Sequence, residues 1–182
     1  MFTPMDFENI FVDFLKKEVA EKFELKGFDK KDKKEIYKNP EVFRGFLLPK
    51  ISGDFDVSKL PYIVFRIERL ETRKVNNKNI HCLKTIIVFG CYCSGVCNRD
   101  NKQIIVDDGS GYRDLWNIME HTRQILFNGT YVPKVQIFED NFSMEVSQEQ
   151  YYPVWEGQIN VDFLINIPEW EFKSALYKLP KR

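Results

Sequence analysis

Four cysteines and two histidines are the side chains of this 182-residue chain best suited to metal or nucleophilic chemistry, and their spacing decides between the two. Cys91, Cys93 and Cys97 fall close together, with His81 and Cys82 one strand-length upstream, so a zinc site with Cys and His ligands can be drawn. The spacing argues against it. C-x-C-x3-C is not the C-x2-C pair of common structural zinc sites, and alternation along a strand puts Cys91 and Cys93 on the face opposite Cys82. Buried cysteine acting as a small hydrophobe is the expectation, with no metal ligand and no cofactor assigned. His81 and His121 lie in no G-x-S-x-G context and beside no matched nucleophile, so no catalytic residue is assigned and no enzyme is expected.

Three other groups invite a chemical reading. Asp108 to Gly111, D-G-S-G ahead of a helix, would aim backbone amides at an anion, yet it lacks the glycine spacing and the lysine of a phosphate-binding loop. A tight turn followed by an N-cap at Ser110 accounts for every residue in it. Asp107, Asp108 and Asp114 form an acidic group that favours the positive end of the following helix without calling for a metal. The Lys-rich stretch from Lys26 to Lys38 is the one local basic patch, but Asp29, Asp32 and Glu35 interrupt it, so a solvated linker is expected in place of a nucleic-acid arm.

Composition narrows the class further. Lys and Arg balance Asp and Glu at 27 each, so no global field draws nucleic acid or an anionic membrane. Sixteen phenylalanines point to a well-packed interior or an extensive subunit interface in place of disorder. No apolar run approaches the roughly 20 residues of a membrane span, and the start of the chain is acidic and amphipathic, so an intracellular protein of one domain is expected.

The element around which the chain is arranged is the helix between Asp107 and Gly129. Leu115, Ile118, Met119, Thr122 and Leu126 recur on one face, with Tyr112 and Trp116 at its edges, and Gly129 supplies a stop. An earlier helix starts at Thr3, Pro4 and Asp6, carries Phe7, Ile10, Phe11, Phe14, Leu15, Val19 and Phe23, and is expected to end near Gly27. The strands are Leu60 to Glu71 with Pro61 at the mouth, Ile80 to Cys93 as a central strand, and Val154 to Ile167 with one dry and one wet face. A short edge strand at Ile104 to Val106, and two short strands at 132–140 and 142–147, complete the sheet. The order predicts an α+β fold: a mostly antiparallel twisted sheet of about four to five strands packed with an N-terminal helix and a central helix. One domain covers 1–182, as a helix and linker region 1–59, a core 60–168 and a tail 169–182.

Three stretches of that core resemble tailed-phage and prophage tail terminator, or tail completion, proteins. The Pro-bearing strand is represented by Pro61, Tyr62 and Arg66; the D-G-Y-R-D-like helix start by Asp108, Gly111, Tyr112, Arg113 and Asp114; the late Pro-x-W-x-G strand by Tyr152, Pro153, Trp155 and Gly157. The resemblance runs over residues 60–168 in the same order. It implies a non-enzymatic morphogenesis protein that closes into a homohexameric ring on the last ring of the tail tube and stops polymerisation. Its partners would be other copies of itself, the tail tube protein and the head-tail connector protein, in the host cytoplasm during assembly and then in the virion tail, with no nucleic-acid specificity and no membrane.

The rival readings are another head-tail connector ring component, or an intracellular metal-binding regulator or enzyme using the Cys/His cluster. Partner contacts are expected on polar loops outside the core patterning: the turn Glu71 to Asn79 with Arg73, Lys74 and Lys78, and the loop Ser94 to Lys102 with Arg99 and Asp100. Trp155 is expected to pack on the central helix near Leu115 or Met119.

Overall fold

The computed structural model describes residues 3–32, 34–47, 56–75, 78–97, 105–106, 109–128, 135–150 and 152–165, with the backbone alone described at 73–75, 78–79, 96–97, 105–106 and 135. The fold is α+β, with both helices on one face of a five-stranded mixed, mostly antiparallel sheet.

Helix α1 (Pro4–Phe14) begins with a capping box. The Thr3 hydroxyl accepts from the Asp6 amide at 3.1 Å, while the Asp6 carboxylate accepts from the Thr3 hydroxyl at 2.7 Å and from the Thr3 amide at 2.8 Å, bonds that, the hydroxyl's first, lower its pKa below the usual carboxylate range. Spacings of three and four bury Phe7, Phe11, Phe14 and Leu15, whereas Ile10 stays 41% exposed. The helix does not run to Gly27 as expected. It loosens into a π turn at Leu15–Val19, tightens into a 3-10 turn at Ala20–Lys22 and stops, because the Asn39 side-chain amide donates to the carbonyls of Ala20 (3.3 Å) and Phe23 (2.8 Å).

The Lys-rich stretch then forms a hairpin, β1 (Leu25–Asp29) against β2 (Lys34–Lys38), where a solvated linker with a helical turn was expected. Lys38 is the lysine that packs across it. Gly27 leaves room for the Lys38 stem, which a Cβ would meet at 2.7 Å, and Lys38 Nζ donates to the Ser58 carbonyl at 2.6 Å. The Asp29 carboxylate accepts from the Lys31 amide at 2.8 Å and turns the chain.

The sheet runs in the order β3 (Glu41–Arg44), β4 (Tyr62–Val75), β5 (Lys78–Tyr92), β9 (Val154–Ile165), β8 (Val135–Val146). β3 lies parallel to β4, and every other pairing is antiparallel. β5 is therefore central, as its two apolar faces predict. Two short strands, β6 (Val96–Cys97) and β7 (Ile105–Val106), pair with each other apart from this sheet. Helix α2 (Ser110–Asn128) buries Leu115, Ile118, Met119, Thr122 and Leu126, as its stripe predicts; Asp107, Asp108 and Gly129 lie outside the described residues.

The two short late strands are one. β8 pairs with β9 on both sides of a bulge in which residues 139–142 face only Val161, between the pairs Phe138↔Asp162 and Ser143↔Asn160. On the helix side, Phe65, Leu83, Ile87, Phe89, Ile159, Val161 and Phe163 meet α1 and α2. On the other side, a smaller cluster of Leu60, Tyr62, Val64 and Tyr92, with Phe28 and Phe43 against it, puts the β1–β2 hairpin over one end of the sheet and, among the described residues, leaves the other end open.

Candidate functional site

The strand register carries most of the resemblance residues to one end of the sheet. Tyr62 pairs with Gly90 and Gly90 with Glu156, so the starts of β4 and β9 flank the end of β5. On the face away from the helices the Tyr62 ring lies across Gly90, where a Cβ would come within 2.2 Å of it. The Tyr62 hydroxyl donates to the Glu156 carboxylate at 2.5 Å. Burial first, and then the nearby Glu156 carboxylate, pushes this phenol above its ordinary range.

The sign of that shift sets a pH dependence. The folded chain holds the phenolic proton more tightly than the unfolded chain, so the stability it confers is complete below about pH 10 and declines as pH rises beyond that. Tyr62→Phe should flatten the alkaline fall in unfolding midpoint between about pH 8 and about pH 11. An identical fall in both proteins would assign it to other groups.

On the helix face, α2 presses its first turn onto β5 and β9. A Cβ on Gly111 would meet Trp155 Cδ1 at 2.3 Å and Cys93 Cβ at 2.6 Å, and the Tyr112 ring stands edge-on to Trp155 with centroids 5.6 Å apart. Further along, a Cβ on Gly157 would meet Met119 Sδ at 2.9 Å and Leu115 Cδ2 at 3.2 Å. Trp155 thus packs on α2 one turn earlier than expected and is half-buried, and Gly157 is the residue that receives Leu115 and Met119. Gly111→Ala should cost about 1–3 kcal/mol through overpacking. Denaturant unfolding measures it, and a shortened side chain in Trp155→Val should recover part of the loss.

The two prolines tie in the strand ends: the Pro61 carbonyl accepts from the Glu41 amide at 3.1 Å, and the Pro153 carbonyl from the Cys93 amide at 2.9 Å. Tyr152 donates from its hydroxyl to the Ser94 carbonyl at 2.5 Å. Ser110 is not the cap expected of it. The Gly109 carbonyl accepts the first helical bond, from the Arg113 amide at 3.1 Å, and Gly109 at φ 71° takes the conformation a side chain resists. The Ser110 hydroxyl instead meets Lys26 Nζ at 3.4 Å and Cys93 Sγ at 3.3 Å. Nothing in the sequence pairs Lys26 with Ser110, because the contact depends on the unexpected β1–β2 hairpin.

The cysteines divide between the faces as alternation predicts. Cys91 lies in the helix-side core, where burial first and Asp114 second push its thiol above the usual range; Cys82 lies 3.6 Å from an Asp162 carboxylate oxygen. Among the described residues no cluster of three His, Cys, Asp or Glu side chains forms a metal site.

Arg73, Lys74 and Lys78, expected in a loop, have their backbones in the β4–β5 ladder: Arg73 pairs with Ile80, Lys74 with Asn79 and Val75 with Lys78. Strand pairing continues to Val75 and Lys78, so the basic residues expected in a loop belong to the ladder. Arg99, Asp100 and Asp108 lie outside the described residues. Arg113 and Asp114 stand at the start of α2, the former exposed and the latter half-buried.

One grouping has no sequence signal at all. Across the open end of the helix-free face runs a groove of about 660 Å³, lined by all four long strands and including Arg69, Lys84, Asn141, Asn160 and Asp162. Asp162, only 5% exposed, accepts from Asn141 at 2.5 Å and lies 3.6 Å from Lys84 Nζ. These bonds fasten the β8 bulge onto the sheet. No family model matches the chain, and no curated protein sequence matches it significantly.

Proposed function

We propose that the chain is a tail terminator-like subunit, closing as a ring on the end of a phage tail tube, stopping its growth and presenting a surface to the head connector. One observation carries the reading. The three stretches that resemble such proteins, spread from Pro61 to Gly157, are partners in a single packed unit: Tyr62 with Glu156, Gly111 and Tyr112 with Trp155, and Gly157 with α2. Motifs that pack on one another constrain one another, and a resemblance spread over such a unit weighs more than three short matches taken singly. The long β4–β5 hairpin also supports it, since Arg73, Lys74 and Lys78 fall in the last pairs of its ladder, and hairpin ends are suited to partner contact.

The decisive experiment is genetic. Phage lacking this protein should make overlong tails that do not join heads, and tails of normal length that join heads normally would end the reading. Reversing charge at Arg73, Lys74 and Arg99 together should leave a folded protein by circular dichroism that no longer restores tail length in that phage. Full restoration would remove these residues from the contact.

A further inference from the structure

We infer that the sheet has two complementary open edges, and that β4 of one copy receives β8 of the next as an antiparallel neighbour. The inference specifies the contact within the proposed ring, on which it rests for closure only.

β3 covers only the first part of β4. The two strands pair from Tyr62 to Phe65, and the last backbone link there runs from the Gly45 amide to the Phe65 carbonyl at 2.8 Å. Up to Phe65 β4 is buried; from Glu68 to Leu70 it is exposed, and Leu70, at 46%, is a large apolar side chain in the open. Among the described residues no strand lies against β4 beyond that point on the side away from β5. β8 is the opposite edge of the sheet, with no buried residue among its described side chains. Uncovered edges of this kind are templates for another strand.

Level, direction and charge agree on the occupant. Following the register across the sheet, Val135 is level with Ile165, His81 and Thr72, and Phe138 is level with Asp162, Lys84 and Arg69. A copy displaced sideways, without shift along the strands, therefore sets β8 residues 135–138 beside β4 residues 69–72, just past the end of β3, with Ile137 level with Leu70. β8 runs parallel to β5 and opposite to β4, so the new pair continues the antiparallel alternation. From Arg66 to Val75 the chain has four basic and two acidic residues; β8 has Glu139, Asp140 and Glu145 and no basic residue. Glu139 and Asp140 are exposed at the bulge, next to the pairing run. Because the two edges differ, the contact is head to tail and closes only as a ring. The β8 bulge and the β3 cap confine it to a short ladder, which opposes open-ended sheet growth.

Directly opposed residues of an antiparallel pair are close enough for a disulfide. In a Cys97→Ser background, Leu70→Cys protein mixed with Ile137→Cys protein should form a mixed disulfide on mild oxidation, while neither alone forms a dimer. Separately, the variant Glu139→Lys with Asp140→Lys should lose concentration-dependent association in sedimentation, and so should Arg66→Glu with Arg69→Glu, the β4 arginines level with the bulge; mixing the two should restore it. No mixed disulfide, a Leu70→Cys dimer with itself, or association indifferent to both reversals would overturn the inference. If the mixed disulfide forms and phage lacking the protein still build normal tails, the edge pairing stands and the phage reading falls. If tails depend on the protein and no disulfide forms, the phage reading stands without this contact.

Discussion

Phe11→Ala should destabilise the protein by about 3–5 kcal/mol, the range for removing a fully buried Phe from a core that cannot collapse around the gap. Phe11 is wholly buried, with ring centroids 5.4 Å from Phe7, 5.4 Å from Phe14, 4.7 Å from Phe65 and 5.0 Å from Phe163. Its neighbours belong to α1, β4 and β9, and none of these backbones can move inward without breaking strand register. Equilibrium unfolding in urea measures the loss as a lower midpoint. Ile10→Ala, one residue away but 41% exposed, should stay within about 0.5 kcal/mol of the parent. Equal losses at the two positions would show that α1 packs through a different face.

The second large effect should come from Lys84→Met, at about 3 kcal/mol. Removing one member of a buried pair strands the other charge, whereas removing both is often neutral. Lys84 Nζ lies 3.6 Å from the Asp162 carboxylate and 4.0 Å from that of Glu71, and it is itself partly open to the groove, which places the expected loss at the low end of that range. Lys84→Met combined with Asp162→Leu should recover most of the stability. A double variant as unstable as the single one would mean that Asp162 serves chiefly to hold Asn141 and the β8 bulge in place.

The elements with strong periodicity were legible. Both helix stripes, the central place of β5 and the dry face of β9 follow from three-four spacing and from alternation, because each of these elements buries one face or both. The β1–β2 hairpin was not legible, since most of its residues are charged and exposed, and the groups that Phe28 and Lys38 pack against are supplied only by the assembled sheet. β8 was divided in two because a bulge interrupts alternation in the same way that a loop does. The start of α2 shifted by one residue because Gly109, at φ 71°, is the residue whose carbonyl accepts the first helical bond.

At the candidate site the glycines were more informative than the polar residues. Gly111, read in the sequence only as part of a turn and a motif, and Gly157 stand where α2 comes close to β9, and the Gly111 and Trp155 contact gives a reason for both. Glu156 and Asp162, by contrast, sit on what alternation reads as the wet face of β9. That Tyr62 reaches one and Lys84 the other depends on strand order, which no local pattern encodes.

The aromatic core also sets an order of events during synthesis. The rings of Phe7 and Phe163 lie 4.9 Å apart, yet they come from almost opposite ends of the described chain, and Phe11 touches the same residue. Contacts of such long sequence separation form late, after loop closure has been met by other pairings. While the ribosome is still translating the central helix, α1 has no β9 ring to close over it and its phenylalanines stay partly uncovered. β4 and β5, adjacent in sequence, can pair throughout that interval. The nascent chain is therefore most exposed to wrong association through its first helix, and a chain interrupted before Phe163 would keep that exposure permanently.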